Sequence, residues 1–230
     1  MKKIAFALFA LLLFLGFSAD AQLKPNFKDW FFYDVAVLQY LDAPAGMEQQ
    51  WFSNGHYFSL MAQSQFGKHF ALGYGLGFSS ENFHNNMRIR TLEQSGDETY
   101  HTLPDTSFES NRQNLGYLWV PLELRFKGRA NSKGQFFRFY LGAKLGLRVR
   151  SYHEFETQLV KQRYYNFEDL ARLRGDAYLR IGFDNLSLFA SYSFTELFTQ
   201  GELIYATPNQ IEQNSLRSIR PIALGVSISL

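Results

Sequence analysis

Apolar and polar residues alternate with a period of two along much of this chain. The clearest case spans residues 70 to 78, where one side carries Phe70, Leu72, Tyr74, Leu76 and Phe78 and the other carries Ala71, Gly73, Gly75 and Gly77. Because successive side chains of a β-strand point to opposite faces, the pattern predicts a strand with one bulky apolar face and one small face. A helix would scatter both sets around its circumference.

The same alternation, or the same strand-forming composition, recurs in seven further segments. They are Phe31–Leu41, Tyr57–Phe66, Leu115–Phe126, Phe136–Tyr152, Leu170–Phe183, Leu186–Phe198 and Ile222–Leu230. Each has at least the roughly 9–11 residues that a tilted membrane strand needs. Eight strands are an even number, which allows both ends of a barrel to lie on the same side.

The connections between these segments alternate between short and long. Brief connections with Gly, Asn or Asp residues occupy 67–69, 127–135 and 184–185, and long polar connections occupy 42–56, 85–114, 153–169 and 199–217. Transmembrane barrels have short turns at one end and long loops at the other. The sequence therefore predicts an all-β protein, a closed eight-stranded antiparallel up-and-down transmembrane β-barrel.

A soluble β-barrel of the lipocalin kind is the alternative. It would show the same alternation with the opposite polarity, its apolar faces turned inward around a ligand. The glycine and alanine faces at 71–77 and 223–225 would then lie outside, where they have no evident purpose. Because small residues suit a crowded barrel interior, this comparison favours the membrane barrel.

The first 21 residues have the composition of a cleaved export signal. Lys2 and Lys3 form a basic start, an apolar run spans Ile4–Phe17, and Ala19-Asp20-Ala21 is a small-x-small cleavage site. The apolar run is shorter than the roughly 20 residues of a membrane-spanning helix. We therefore predict a signal peptide at 1–21 and an outer-membrane β-barrel domain at 22–230.

Composition limits the possible chemistry. A formal net charge of +2 gives no electrostatic case for binding nucleic acid. The chain has no cysteine, so no disulfide framework supports the exported fold. The five histidines show no metal-ligand spacing and no Ser-His-Asp motif is visible, so neither a metal nor a cofactor is predicted.

Several segments resemble one known family. They are the Ala21-Gln22 junction, the Gly-rich strand Leu72–Phe78, the strand Gly116–Phe126 with its Tyr-Leu-x-x-Pro-Leu core, and the Tyr-x-Gly-Ala strand Phe139–Ala143. In them the chain is similar to the small outer-membrane β-barrel proteins of Bacteroidetes called PorT-like, which share the general plan of the OmpX and OmpA barrels. The resemblance implies a monomer in the bacterial outer membrane, in contact with outer-membrane lipid and the barrel-insertion machinery.

The candidate site is a group of four arginines predicted on the inward faces of two neighbouring strands: Arg148, Arg150, Arg172 and Arg174. Antiparallel pairing would bring all four together near the mouth that carries the long loops. Four like charges repel unless a negative group lies among them. Either carboxylates such as Asp34, Glu81 and Glu123 neutralise them, or they form a basic vestibule for an anionic group such as a phosphate.

Two further sets of residues lie near the predicted strand ends. His84 and His153 are close to the long-loop rim, where some barrel enzymes carry their catalytic groups, so a rim enzyme is one hypothesis. Aromatic residues such as Tyr117 and Trp119 are predicted to face the membrane interface.

The leading functional hypothesis is a non-enzymatic integral outer-membrane barrel with a side-chain-filled lumen, because eight strands enclose too little space for an open aqueous pore. Its extracellular loops, above all 85–114, would then carry envelope, adhesion or partner-binding roles involving other envelope proteins. The family resemblance adds an alternative, an accessory component of a secretion or gliding apparatus.

Overall fold

The computed structural model describes residues 29–92, 98–103, 108–166, 168–206 and 211–230, so the predicted signal peptide at 1–21 lies outside the described residues. Within them the chain forms thirteen β-strands: β1 (Phe31–Leu41), β2 (Asn54–Gln65), β3 (Phe70–His84), β4 (Arg88–Leu92), β5 (Glu98–Thr102), β6 (Ser110–Lys127), β7 (Phe137–Glu156), β8 (Lys161–Tyr165), β9 (Leu173–Phe183), β10 (Leu186–Ser193), β11 (Glu202–Ala206), β12 (Ile211–Ser215) and β13 (Arg220–Ser229). None of the described residues belongs to a helix that could cross a membrane.

Eight of these strands close into an antiparallel barrel, which confirms the predicted fold class. Around the barrel the order is β1, β2, β3, β6, β7, β9, β10 and β13, and β13 pairs with β1 to complete the ring. The closing pair runs from Phe32 opposite Ser229 to Leu41 opposite Arg220. Each wall strand therefore has a partner along both edges, which leaves no open sheet edge in the barrel wall.

Short turns and long connections occupy opposite ends of the barrel. The connections at 66–69, 128–136 and 184–185 lie at one end, which we call the turn end. Those at 42–53, 85–109, 157–172 and 194–219 lie at the other, which we call the loop end. The predicted alternation of short and long connections is confirmed.

Several wall strands have different lengths from those predicted. Strands β2, β3, β6 and β7 cover 54–65, 70–84, 110–127 and 137–156, where the sequence predicts 57–66, 70–78, 115–126 and 136–152. The outward residues of these extensions are polar, so the apolar alternation stops while the hydrogen-bonded ladder continues. Strands β9 and β10 are shorter than predicted. Strand β9 begins at Leu173 rather than at Leu170, and β10 ends at Ser193 rather than at Phe198.

The two faces of the wall have the predicted polarity. Outward apolar side chains are exposed, with Leu76 at 68% and Leu188 at 70%, whereas inward residues such as Tyr57 and Glu81 are buried. A band of exposed apolar side chains of this extent suits hydrocarbon rather than water.

Two inward glycines allow neighbouring strands to approach closely. A Cβ atom at Gly75 would lie 2.0 Å from the carbonyl oxygen of Leu60, and one at Gly225 would lie 1.9 Å from that of Val35. No side chain can occupy either position without moving backbone. These contacts explain why glycine occupies both positions.

The loop-end connections build a second sheet that sequence analysis does not predict. Strands β12, β11, β5 and β4 pair in that order, and β5 runs parallel to β11. We call these strands and the loop residues packed with them the cap. Among its described apolar residues, nine are fully or almost fully buried: Met47, Met87, Ile89, Leu170, Leu197, Phe198, Leu203, Leu216 and Ile219. This cap core is continuous with the apolar side chains at the loop end of the lumen.

Candidate functional site

The barrel interior is charged, and its charges lie in contact with one another. The basic groups are Arg125, Lys127, Arg138, Lys144, Arg174 and Arg180, and the acidic groups are Asp29, Asp34, Glu81, Glu123 and Asp176. An ionised group removed from water is costly unless an opposite charge and hydrogen bonds compensate. The geometry at three levels of the lumen shows how that compensation is made.

At the turn end, the Asp29 carboxylate forms ion pairs with two cations. Its carboxylate lies 2.7 Å from Lys127 Nζ and 2.7 Å from Arg138 Nη1, and Tyr140 Oη donates to it at 3.0 Å. Asp29 lies two residues before the start of β1, whereas its partners come from β6 and β7 on the far side of the ring. These contacts therefore cross the lumen and fill it.

In the middle of the lumen, Arg180 joins two carboxylates. Its Nη2 donates to Asp34 at 2.7 Å and its Nη1 donates to Glu123 at 2.8 Å. Glu123 also accepts from Arg125 Nε at 2.6 Å and from Tyr178 Oη at 2.9 Å. Strands β1, β6 and β9 are thereby linked across the barrel through charge-assisted hydrogen bonds, which are stronger than neutral ones.

Nearest the loop end, Arg174 forms a bidentate pair with Glu81. Both terminal guanidinium nitrogens donate to that carboxylate at 2.7 Å, and Nε donates to Asp176 at 3.0 Å. Lys144 Nζ lies 3.5 Å from the Asp176 carboxylate and 4.4 Å from the centroid of the Trp119 ring. The cations at this level are thus held by carboxylates and aromatic faces together.

Little open space remains between these groups. A cavity bounded in part by Asp34, Tyr57 and Lys144 has a volume of about 10 Å³. That volume is at the lower limit for a single water molecule. The described lumen is therefore a packed interior rather than an aqueous channel.

The four arginines singled out by the sequence lie in different surroundings. Arg174 is the lumenal residue described above, and Arg148 is half-buried, where it donates to Ser151 Oγ at 2.7 Å and to the carbonyl of Leu170 at 3.1 Å. Arg150 and Arg172 are exposed. The expectation that all four point inward in one cluster is wrong, and anion binding by the four together stays a prediction.

An irregularity in the pairing of β6 with β7 explains the placement of Arg150. Gly116 lies opposite Arg150 while the next residue, Tyr117, lies opposite Arg148, so Val149 is an extra residue in β7. A bulge of this kind reverses the alternation that follows it. Arg150 consequently faces outward, where its Nη2 donates to Ser80 Oγ at 3.2 Å.

A buried pair ties the cap to the barrel rim. His101 of β5 lies 2.8 Å from the carboxylate of Asp169, which also accepts from Gln200 Nε2 at 3.0 Å. Burial opposes ionisation of Asp169, but the hydrogen bonds from His101 and Gln200 outweigh it and lower its pKa. Three loop-end connections thus meet at one carboxylate, which sequence analysis does not identify because no local pattern marks it.

Comparison with family models places this architecture among known proteins. Residues 8–199 match a model described as outer membrane protein beta-barrel domain. The chain belongs to this outer-membrane β-barrel family. No curated protein and no solved structure matches it.

Membership of this family places the barrel in the bacterial outer membrane. In outer-membrane barrels the short turns face the periplasm and the long loops face the outside, so we expect the cap to be extracellular. The exposed apolar band of the wall then lies in hydrocarbon. The narrower resemblance to the PorT-like proteins of Bacteroidetes stays a prediction.

The two rim histidines of the sequence analysis lie apart from each other. His84 is half-buried on the outer face, where its ring packs against Phe52, and burial and the charge of Arg112 lower its pKa. His153 is buried beneath the cap, beyond the membrane-spanning part of β7, and its Nε2 lies 2.6 Å from Asn111 Oδ1. The described residues contain no group of three or more His, Cys, Asp or Glu placed to hold a metal ion.

Removing one partner of the lumenal ion pairs should destabilise the barrel strongly. In the Glu81→Gln variant, Arg174 loses its bidentate carboxylate while remaining buried, which we expect to lower the free energy of unfolding by roughly 3–5 kcal/mol. Urea unfolding of the refolded protein in detergent micelles measures this. The matched control is Glu156→Gln, whose partner Lys161 is exposed, and we expect it to cost less than about 1 kcal/mol. Equal losses in both variants would contradict the structural role of the lumenal pair.

The low pKa of the buried His153 should make the folded protein less stable in mild acid. Burial lowers the pKa of His153 from its ordinary value of 6.5 to about 4. Between those two pH values the unfolded chain binds a proton that the folded chain does not, so stability is full above pH 6.5 and falls by about 3 kcal/mol on approach to pH 4. The measurement is the urea midpoint at pH 7 and at pH 4.

The His153→Gln variant retains a donor for Asn111 but cannot take up the proton. We expect it to lose much less stability than the parent over the same pH range. His69→Gln, at an exposed histidine of the turn end, serves as the control. A His153→Gln variant with the same acid sensitivity as the parent would contradict the assignment.

Proposed function

We propose that the protein is a non-enzymatic outer-membrane barrel that presents a folded extracellular cap for contact with other components of the cell envelope. The observation that carries this proposal is the continuity of its packed interior. Side chains fill the lumen from Asp29 at the turn end to Arg174 at the loop end, and the apolar core of the cap continues from there. A structure filled in this way suits display of a surface better than passage of a solute.

The cap supports a binding role because its surface is held in a fixed shape. The parallel pairing of β5 with β11 joins two connections that are far apart in the sequence, and the His101–Asp169 pair joins a third. Binding sites are often carried by loops that a rigid scaffold positions, and a preformed surface loses less conformational entropy when it binds. We therefore assign the partner-contact role to the cap as a whole rather than to residues 85–114 alone.

The surroundings of the histidines support the non-enzymatic part of the proposal. His153 contacts an asparagine, His84 packs on a phenylalanine ring, and His101 is fully buried against Asp169. Among the described residues, none of these three imidazoles hydrogen-bonds to the hydroxyl of a serine or threonine, which nucleophilic catalysis by a triad requires. A rim enzyme remains the weaker hypothesis.

An accessory role in a secretion or gliding apparatus is the specific alternative, supported by the PorT-like resemblance of segments such as Gly116–Phe126. It uses the same cap as a contact surface but requires a stable complex. Co-purification with other envelope proteins under mild detergent distinguishes it from transient surface contact.

Photocrosslinking in intact cells tests the cap as a contact surface. A photoreactive residue placed at the exposed cap positions Glu202 or Gln213 should give discrete adducts of higher mass with envelope components. The same residue at Ser132, exposed at the turn end, is the matched control and should not give those adducts. Identical adducts from both ends, none from the cap, or a steady ion conductance of the purified barrel in planar bilayers would contradict the proposal.

A further inference from the structure

The outer wall of the barrel becomes polar and basic above the apolar band on one side. Three rows of outward residues cross β3, β6, β7 and β8 there, namely Ser80–Gly116–Arg150, Asn82–Asn114–Tyr152–Tyr165 and His84–Arg112–Glu154–Arg163. The bulge at Val149 is what turns Arg150 to this face. We call Arg112, Arg150, Tyr152, Glu154 and Arg163 the wall patch.

Three guanidinium groups of the wall patch surround a single aromatic ring. The Cζ atoms of Arg112, Arg150 and Arg163 lie 5.9, 5.8 and 5.7 Å from the centroid of the Tyr152 ring. Cation–π attraction holds a cation over such a ring, but three cations at one ring repel each other. The patch therefore concentrates positive charge in a small area.

Only part of that charge is neutralised within the described chain. Glu154 accepts from Arg112 at 3.1 Å and also pairs with Arg163. For Arg150, the described residues provide the hydroxyl of Ser80 and no carboxylate. Three cations and one carboxylate leave a net charge of about +2, and two of the cations, Arg150 and Arg163, are exposed.

The wall patch lies at the depth of the lipid headgroups. The row directly below it is apolar and exposed, with Phe78 opposite Leu118 and Leu118 opposite Leu147. Two residues along a strand rise by about 7 Å, so Arg150 stands one short step above hydrocarbon. Tyr152 and Tyr165 pack together at 6.0 Å in the same zone, where tyrosines of membrane proteins are commonly found.

We propose that the wall patch binds a phosphate group of an outer-leaflet lipid, with Arg150 and Arg163 as its principal donors. A phosphate monoester carries up to two negative charges, which complements the excess charge of the patch. The planar guanidinium fork matches phosphate oxygens. Because the patch is continuous with the lipid-facing band, a phosphate attached to an acyl anchor reaches it without leaving the membrane, and this favours a lipid over a free anion.

Native mass spectrometry of lipid adducts tests this site directly. The refolded protein in zwitterionic micelles is titrated with phosphorylated lipid A. Arg150→Gln removes one charge-assisted contact without stranding a carboxylate, and we expect it to weaken lipid A binding about tenfold. Arg129→Gln is the control, since it removes the same charge from an exposed arginine at the turn end and should leave binding unchanged.

The probes separate a lipid phosphate from other ligands. Dephosphorylated lipid A should bind the parent protein and the Arg150→Gln variant equally weakly. Inorganic phosphate at the same concentration should not displace phosphorylated lipid A from the parent protein. Full displacement by inorganic phosphate would show a free-anion site and overturn the proposal. Unchanged binding in an Arg150→Gln variant with a parent-like circular dichroism spectrum, or equal binding of dephosphorylated lipid A, would overturn it as well.

Discussion

Closure of the sheet is the constraint on which the other features of this protein depend. In hydrocarbon, each backbone N–H or C=O group without a partner costs several kcal/mol, so an open strand edge is not tolerated. The pairing of β1 with β13 removes the last two edges of the wall. Once the ring is closed, alternate side chains project into a narrow space with little room for water. Charges placed there must satisfy each other, which is what the contacts of Asp29, Arg180 and Arg174 achieve.

The barrel wall could be predicted well from the sequence, because the alternation of side chains between two faces is visible within each strand segment. It places the bulky residues of β3 outside and the small ones inside, as the structure has them. It failed for Arg150, because a single extra residue at Val149 reverses the alternation and no local pattern marks it. It also assigned Tyr117 and Trp119 to the membrane interface, although both are buried inside. Their spacing from Glu123, an even number of residues along one strand, is the signal that would have placed them correctly.

The cap sheet could not be predicted from the sequence for a different reason. Its sheet joins strands from two connections, and the parallel pairing of β5 with β11 brings Leu203 opposite His101. Contacts between residues this far apart depend on the whole fold rather than on any segment's periodicity. This matters for function, because the polar loops of the sequence become one packed surface at the loop end. The same closed wall therefore supports a filled lumen, a cap outside the membrane and a basic patch at the headgroup level.

Because the chain contains no cysteine, single introduced cysteines can report which surfaces water reaches, and from which side. Leu159 is 94% exposed at the loop end, Leu188 is 70% exposed on the wall, and Ser132 is exposed at the turn end. With a membrane-impermeant maleimide, we expect Leu159→Cys to react in intact cells and Ser132→Cys to react only after the outer membrane is permeabilised. We expect Leu188→Cys to react in neither case, because lipid covers it. Reaction of Leu188→Cys as fast as Leu159→Cys would mean that water surrounds the wall, and would contradict the membrane barrel.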